Sequence, residues 1–209
     1  MSYRKYDTCF FERYAMTALR TLLGHKFDDL VNEDRPDLQS SDGRTLGIEV
    51  TRAMEEGRLA AQQMLKDIAG VSHQDPLVED SGYSYGVRDG RYIGGIELEY
   101  WKTALPMKKI IKSKVAKVTS GFYGDFREFG LFVFSKDPLS EKDALGTLRF
   151  TMDLQKYADK AYARLFLFGV DTLFACNLED GLSMDHRITE VAVDQQLRRE
   201  FFLESLQYE

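Results

Sequence analysis

Long apolar runs, paired cysteines and the common nucleotide-binding motifs are all missing from this chain of 209 residues. Its most apolar stretch, residues 165–176, is broken by Asp171 and falls short of the roughly 20 residues that a membrane span needs, so no membrane partner is expected. The opening residues, 1–7, carry no apolar core of a secretory leader. Cys9 and Cys176 are too far apart to form a metal knuckle or a disulfide framework, which suits a reducing, cytoplasmic setting. There is no Walker A loop, no G-x-G-x-x-G and no H-E-x-x-H, and His25, His73 and His186 are scattered. Each histidine therefore reads as a surface or capping residue rather than a metal ligand. One match, Gly82-Tyr83-Ser84-Tyr85-Gly86, fits the G-x-S-x-G elbow, but that serine needs a buried strand before it and a helix after it. Acidic residues precede this one and turn-forming Gly and Asp follow it, so a serine hydrolase is a distant alternative.

What is present excludes disorder. Residues of the apolar set make up 44% of the chain and charged residues 30%, with 26 aromatics, enough for one globular domain, 1–209, with a real core. The net charge of −6 argues at first against a polyanionic partner. Its distribution qualifies that: residues 101–124 hold six lysines (Lys102, Lys108, Lys109, Lys112, Lys114, Lys117) and no acid, leaving −12 on the remainder. A basic element on an acidic body is the footprint of a nucleic-acid contact or, alternatively, a solvated helix face.

Periodicity organises the rest. Phe11, Tyr14, Ala15, Ala18 and Leu22 recur at three- and four-residue steps, predicting a helix over 10–23 that stops at Gly24. A polar passage over 28–35 leads to two strands, 37–41 and 44–52, as a hairpin around Asp42-Gly43. A second amphipathic helix is expected over 54–68, a surface excursion over about 71–100, and a basic helix from Pro106 to about 118. Apolar runs at 130–135, 164–169 and 172–178 read as strands. A helix is expected over 141–162 and a closing helix over 188–206, whose Phe201, Phe202 and Leu206 pack on their own domain or on a second copy as a homodimer. The order implies an α/β fold with a mixed β-sheet and flanking helices.

The hairpin carries the candidate chemistry. A three-residue loop, 41–43, with Gly43 left-handed, sets Asp37 opposite Gly47 and on the face of Glu49 and Thr51. Only this register, unlike that of a two-residue loop, puts Leu38 with Leu46, Ile48 and Val50 on one buried face. Two neighbouring carboxylates repel unless a cation or a shared proton intervenes, and hard oxygen donors suit Mg²⁺ or Mn²⁺. Glu12, at the margin of the first helix's apolar stripe, offers a third acid or, alternatively, snorkels to solvent or pairs with an arginine.

Pro36-Asp37, eleven residues and then Glu49-Val50-Thr51, after a helix bearing Glu12, resembles the PD-(D/E)XK nuclease superfamily of restriction-endonuclease-like folds, in a variant reading E-V-T. That resemblance implies that Asp37, Glu49 and Glu12 gather a Mg²⁺ (or Mn²⁺) ion for phosphodiester hydrolysis by an endonuclease or exonuclease, with DNA as the expected substrate. Thr51 stands where the motif has lysine. Some related enzymes supply the lysine from a helix, and Lys114, between Ile110 and the Met107/Val118 edge, is the candidate or, alternatively, a stem packed on the core with its ammonium in water, whereas Lys66 lies opposite its helix's apolar face. Losing Lys114 is expected to spare folding. Lys108, Lys109 and Lys112 are the candidate phosphate contacts. The alternative is a member of the same fold that has lost catalysis and binds nucleic acid or a protein.

Overall fold

The structure, a computed structural model, describes residues 10–53, 107–135, 138–179 and 181–205. The helix expected over 54–68 with Lys66, the excursion with Ser84, and Cys9, His73, Lys102, Pro106 and Leu206 lie outside these residues. Within them, helix α1 (Phe10–Leu23) leads to strands β1 (Leu30–Asn32), β2 (Leu38–Ser40) and β3 (Leu46–Ala53). The second part runs α2 (Met107–Thr119), β4 (Glu128–Ser135), α3 (Glu141–Gln155), β5 (Tyr162–Phe168), β6 (Thr172–Asn177), β7 (Ile188–Ala192) and α4 (Gln195–Ser205). Seven strands lie side by side in chain order. β1, β2 and β3 are antiparallel, β3, β4 and β5 parallel, and β5, β6 and β7 antiparallel again. The fold is thus α/β with a mixed sheet.

Connectivity dictates the layers. Two parallel steps taken in one direction with one hand bring both crossover helices to one face, and α2 packs beside α3 there. α1 and α4 pack together on the other face. Alternation along the central strands divides the core by residue type. Phe132, Phe134, Phe166 and Phe168 join Phe10, Phe11, Tyr14, Phe201 and Phe202 under α1 and α4. Leu131, Val133, Leu165 and Leu167 meet Ile111, Val115, Ala144 and Leu148 of α2 and α3. The register aligns Phe132 with Phe166 and Phe134 with Phe168, so edge-to-face contacts run from Phe11 and Tyr14 through Phe134, each at ring-centroid spacings of 5.5–5.7 Å. Phe201 and Phe202 are consumed in this core, so that apolar pair packs on its own sheet. No helix among the described residues is long and apolar enough to cross a membrane.

Several elements differ from expectation. The polar passage contains β1, whose three residues are too few to show a period. Residues 188–206 divide into edge strand β7 and helix α4, because β-branched Ile188, Thr189 and Val191 favour a strand and the Asp194 carboxylate accepts the Leu197 amide at 2.8 Å, starting the helix there. α3 ends at Gln155, well before 162. The hairpin register is Leu38 against Ile48 and Gln39 against Gly47, two residues away from the expected one, with a five-residue connection. Asp42 explains the longer loop: it accepts hydrogen bonds from Ser40 Oγ, the amides of Arg44 and Thr45 and the Thr45 hydroxyl. Gly43 is left-handed at φ 63° as expected. A slide of two residues preserves the faces, so Leu38, Leu46, Ile48 and Val50 do share the core under α1.

Candidate active site

The site begins where β2 has not yet started. Asp37 precedes the strand, and its Oδ2 accepts the Val50 amide at 2.7 Å, in effect extending the ladder beside β3 with a side chain. The turn before it closes on the Asp37 carbonyl, which accepts the Glu33 amide and Asn32 Nδ2, both at 3.0 Å. Gly47 gives this turn its seat. A Cβ there would lie 2.6 Å from Pro36 Cγ and 3.1 Å from the Phe126 ring, so only glycine lets Pro36, and Asp37 after it, come this close to β3.

Three further groups converge. Glu49 is buried on β3, and Lys114, buried on α2 at 7% exposure, donates from Nζ to Glu49 Oε1. Glu12 Oε2 accepts Asn32 Nδ2 at 2.8 Å, so one amide ties the helix acid to the backbone of Asp37. Burial first, then the charges of Glu49 and Glu12, push the Asp37 carboxyl up to about 8, against the Val50 amide and Lys114, which pull it down. Among the described residues, Glu49 and Glu12 act on the Asp37 carboxyl from one side and the Lys114 ammonium from the other.

Tyr123 and Tyr162 close it from the α2 side. The Tyr162 hydroxyl donates to the Lys114 carbonyl at 3.2 Å, and burial, followed by Glu49, raises its pKa. Burial, followed by the neighbouring Tyr162 and Glu49, also raises the pKa of the buried Tyr123 hydroxyl.

The structure therefore brings Glu12, Asp37, Glu49 and Lys114 together. The expectation that loss of Lys114 would spare folding does not survive: removing one half of a buried ion pair strands the other. Lys108, Lys109 and Lys112 do not line the carboxylates. They are exposed on the outer side of α2, where Lys108 Nζ lies 5.7 Å from the Phe150 ring centroid. Thr51 is buried on β3 and shares the side of Glu49 by alternation. Sequence reasoning missed Asn32, Tyr123 and Tyr162. The one signal for Tyr123 is an aromatic pair bracketed by glycines, Gly121-Phe122-Tyr123-Gly124, directly after the basic helix.

The donor set suits a hard divalent cation. Among the described residues the Val50 amide and Lys114 each engage one oxygen of Asp37 and Glu49 respectively, and added positive charge would offset the neighbouring acids that raise the Asp37 pKa. Among the described residues no three His, Cys, Asp or Glu side chains form a ready-made metal cluster. Glu12, held through Asn32, fits a role in orienting Asp37 rather than as an equal third ligand. A separate hollow of about 450 Å³, lined in part by Asp153, Lys156, Tyr162 and Glu179, contains none of these acids. Cys176 is buried, its thiol pushed up to about 12 by desolvation, and takes no part. His25 and His186 make surface contacts with Asp28 and Ser183.

Compared with protein-family models, curated proteins and solved structures, the chain matches none.

Proposed function

We propose that this chain is a metal-dependent nuclease with a restriction-endonuclease-like core of the PD-(D/E)XK type, hydrolysing phosphodiester bonds of DNA. The observation that carries the reading is the Lys114–Glu49 contact beside Asp37: the ammonium absent at Thr51 arrives at the same carboxylate from α2. The acids also stand on the elements the resemblance requires, a helix, the start of the hairpin and its second strand.

Asp37 and Glu49 would hold Mg²⁺ or Mn²⁺. Such an ion supplies a water of lowered pKa and charge stabilisation on phosphate oxygens. Glu12, through Asn32, fixes the turn that presents Asp37. Lys114 brings a fixed positive charge to the charge that grows on the phosphate, and its bond to Glu49 holds its Nζ in place. The Tyr123 hydroxyl, buried beside Glu49, would donate to an oxygen entering there. The outer lysines of α2 would meet the phosphate backbone away from the reacting bond.

The test is cleavage of plasmid and of labelled oligonucleotides with Mg²⁺ or Mn²⁺, alongside Asp37→Asn and Glu49→Gln. Metal-dependent products that both substitutions abolish support the reading, and their absence from the wild-type protein refutes it. One observation favours a second reading, a non-catalytic nucleic-acid-binding or protein-binding member of the fold. Lys114 and Glu49 neutralise each other in a buried pair, as a purely structural pair would. Nucleic-acid binding without cleavage in either metal selects it.

A further inference from the structure

The end of α2 shapes the surface beside the acids. Gly121, at φ 74°, donates its amide to Val118 O at 3.0 Å, and the Phe122 amide reaches Lys117 O at 3.2 Å. This pair of bonds is a Schellman motif, in which the residue at the Phe122 position normally packs on an apolar residue at the Lys117 position. Here that residue is a lysine. Its Nζ sits 5.1 Å from the Phe122 ring centroid, and Arg35 Cζ lies 5.9 Å from the same centroid. Both cations lie over the ring, which nevertheless stays 48% exposed while 11 of the largest side chains are almost wholly buried.

Both flanks connect to the site. Arg35 is two residues before Asp37, is left-handed at φ 63°, and besides its contact with the Phe122 ring makes an exposed pair with Asp34 at 3.0 Å. Left-handed backbone in an arginine costs on the order of 1 kcal/mol and persists where the surroundings impose it. Tyr123, next to Phe122 and edge-on to it at 5.3 Å, turns inward toward Glu49. The same turn thus presents an exposed ring with two cations outside and a buried hydroxyl at the carboxylates inside. Lys160, bound to the Gly124 carbonyl and to Asp125, adds a third cation beside this turn.

We infer that Phe122, with Arg35 and Lys117, forms a stacking subsite for one unpaired nucleobase and its phosphates, so that the substrate enters as a single strand, a frayed end or a flap. An exposed aromatic face can stack only on a base whose own faces are open, and inside a continuous duplex none is. The cations fit the adjoining phosphates, and the exposed acidic partners of Arg35 and Lys160 are weakly held. The inference deepens the nuclease reading, on which it rests for its substrate class.

The test is equilibrium binding of the full chain without divalent metal, using a fluorescent thymidine oligonucleotide of about 12 nucleotides. An abasic strand with the same backbone and a hairpin duplex serve as comparisons. Phe122→Ala should weaken binding of the base-bearing strand about tenfold and leave the abasic strand and the duplex unchanged, while Phe122→Trp retains or tightens binding. Because the ring is exposed, an unchanged melting temperature for both variants is expected. Arg35→Ala and Lys117→Ala should each lower the salt slope on single strands by about 0.7. Equal losses on base-bearing and abasic strands, or no single-strand binding by the wild type, overturn the inference. Binding with this signature but without cleavage in Mg²⁺ or Mn²⁺ supports the subsite and removes the nuclease reading. Metal-dependent cutting of a duplex that ignores Phe122→Ala does the reverse.

Discussion

Asp37 supplies the sharpest prediction, because its titration reports its burial beside Glu49 and Glu12. In the unfolded chain its carboxyl titrates near 3.8, and in the cation-free native state burial, Glu49 and Glu12 raise it to about 8. A raised carboxylate means that the native state holds the proton more tightly than the unfolded one. Its contribution is therefore full below pH 3.8 and is lost as pH climbs through about 8. At about 1.36 kcal/mol for each power of ten in proton affinity, the full loss is roughly 6 kcal/mol. Solvent screening at this half-buried position reduces that to about 2–3 kcal/mol, or roughly 5–10 °C in melting temperature for a chain of this size.

The assay is thermal unfolding between about pH 4 and pH 9, with EDTA or with Mg²⁺, of wild type and Asp37→Asn, since the difference between the two profiles removes the acids they share. In EDTA the wild type should fall relative to Asp37→Asn across that window, and the variant should be the more stable at its alkaline end. A cation in hundredfold excess over its dissociation constant should return about 2.7 kcal/mol to the wild type and nothing to Asp37→Asn. Because the proton must leave before the ion binds, affinity for Mg²⁺ should drop about tenfold per pH unit below the native pKa. Parallel pH profiles for the two proteins, or equal stabilisation of both by Mg²⁺, would refute the reasoning.

Lys114→Ala should destabilise the fold by about 3–5 kcal/mol because it strands a buried Glu49, and Lys114→Ala with Glu49→Gln should recover much of that in urea unfolding. If the nuclease reading is correct, turnover by Lys114→Ala should also fall by two to three powers of ten, roughly the loss of one electrostatic group, and Thr51→Lys in that background should restore part of it. Gly47→Ala should cost about 1–3 kcal/mol by overpacking against Pro36 and, by moving Asp37 off the Val50 amide, should weaken Mg²⁺-dependent stabilisation in the same melting assay. Neutralising Lys108, Lys109 and Lys112 together should weaken nucleic-acid binding and flatten its salt dependence by about 0.9 for each phosphate no longer neutralised. Unaltered affinity in a salt titration would move the binding surface to another face.

How much of this was legible in the sequence depends on whether a residue's role was fixed by local pattern or by a distant partner. The face shared by Leu38, Leu46, Ile48 and Val50 followed from alternation alone, and it survived an error of two residues in register, because the period of a strand is two. The loop length did not follow, since it turns on the Asp42 side chain collecting its own backbone amides. β7 was hidden because a strand of five residues next to a helix leaves little periodic signal. Lys114 was identifiable by exclusion, as the one lysine on its helix that solvation did not explain, but its partner was not. That required β3 and α2, 65 residues apart, to meet. Asn32 and Tyr123 had no local signal of burial or charge, and their roles exist only once Glu12, Asp37 and Glu49 have been assembled around them. A lysine on β3 at position 51 would take its orientation from the strand's alternation. A lysine delivered from α2 must instead be held by Glu49, and this is why, in this fold, the group proposed to act on the phosphate is also part of what keeps the second face of the sheet closed.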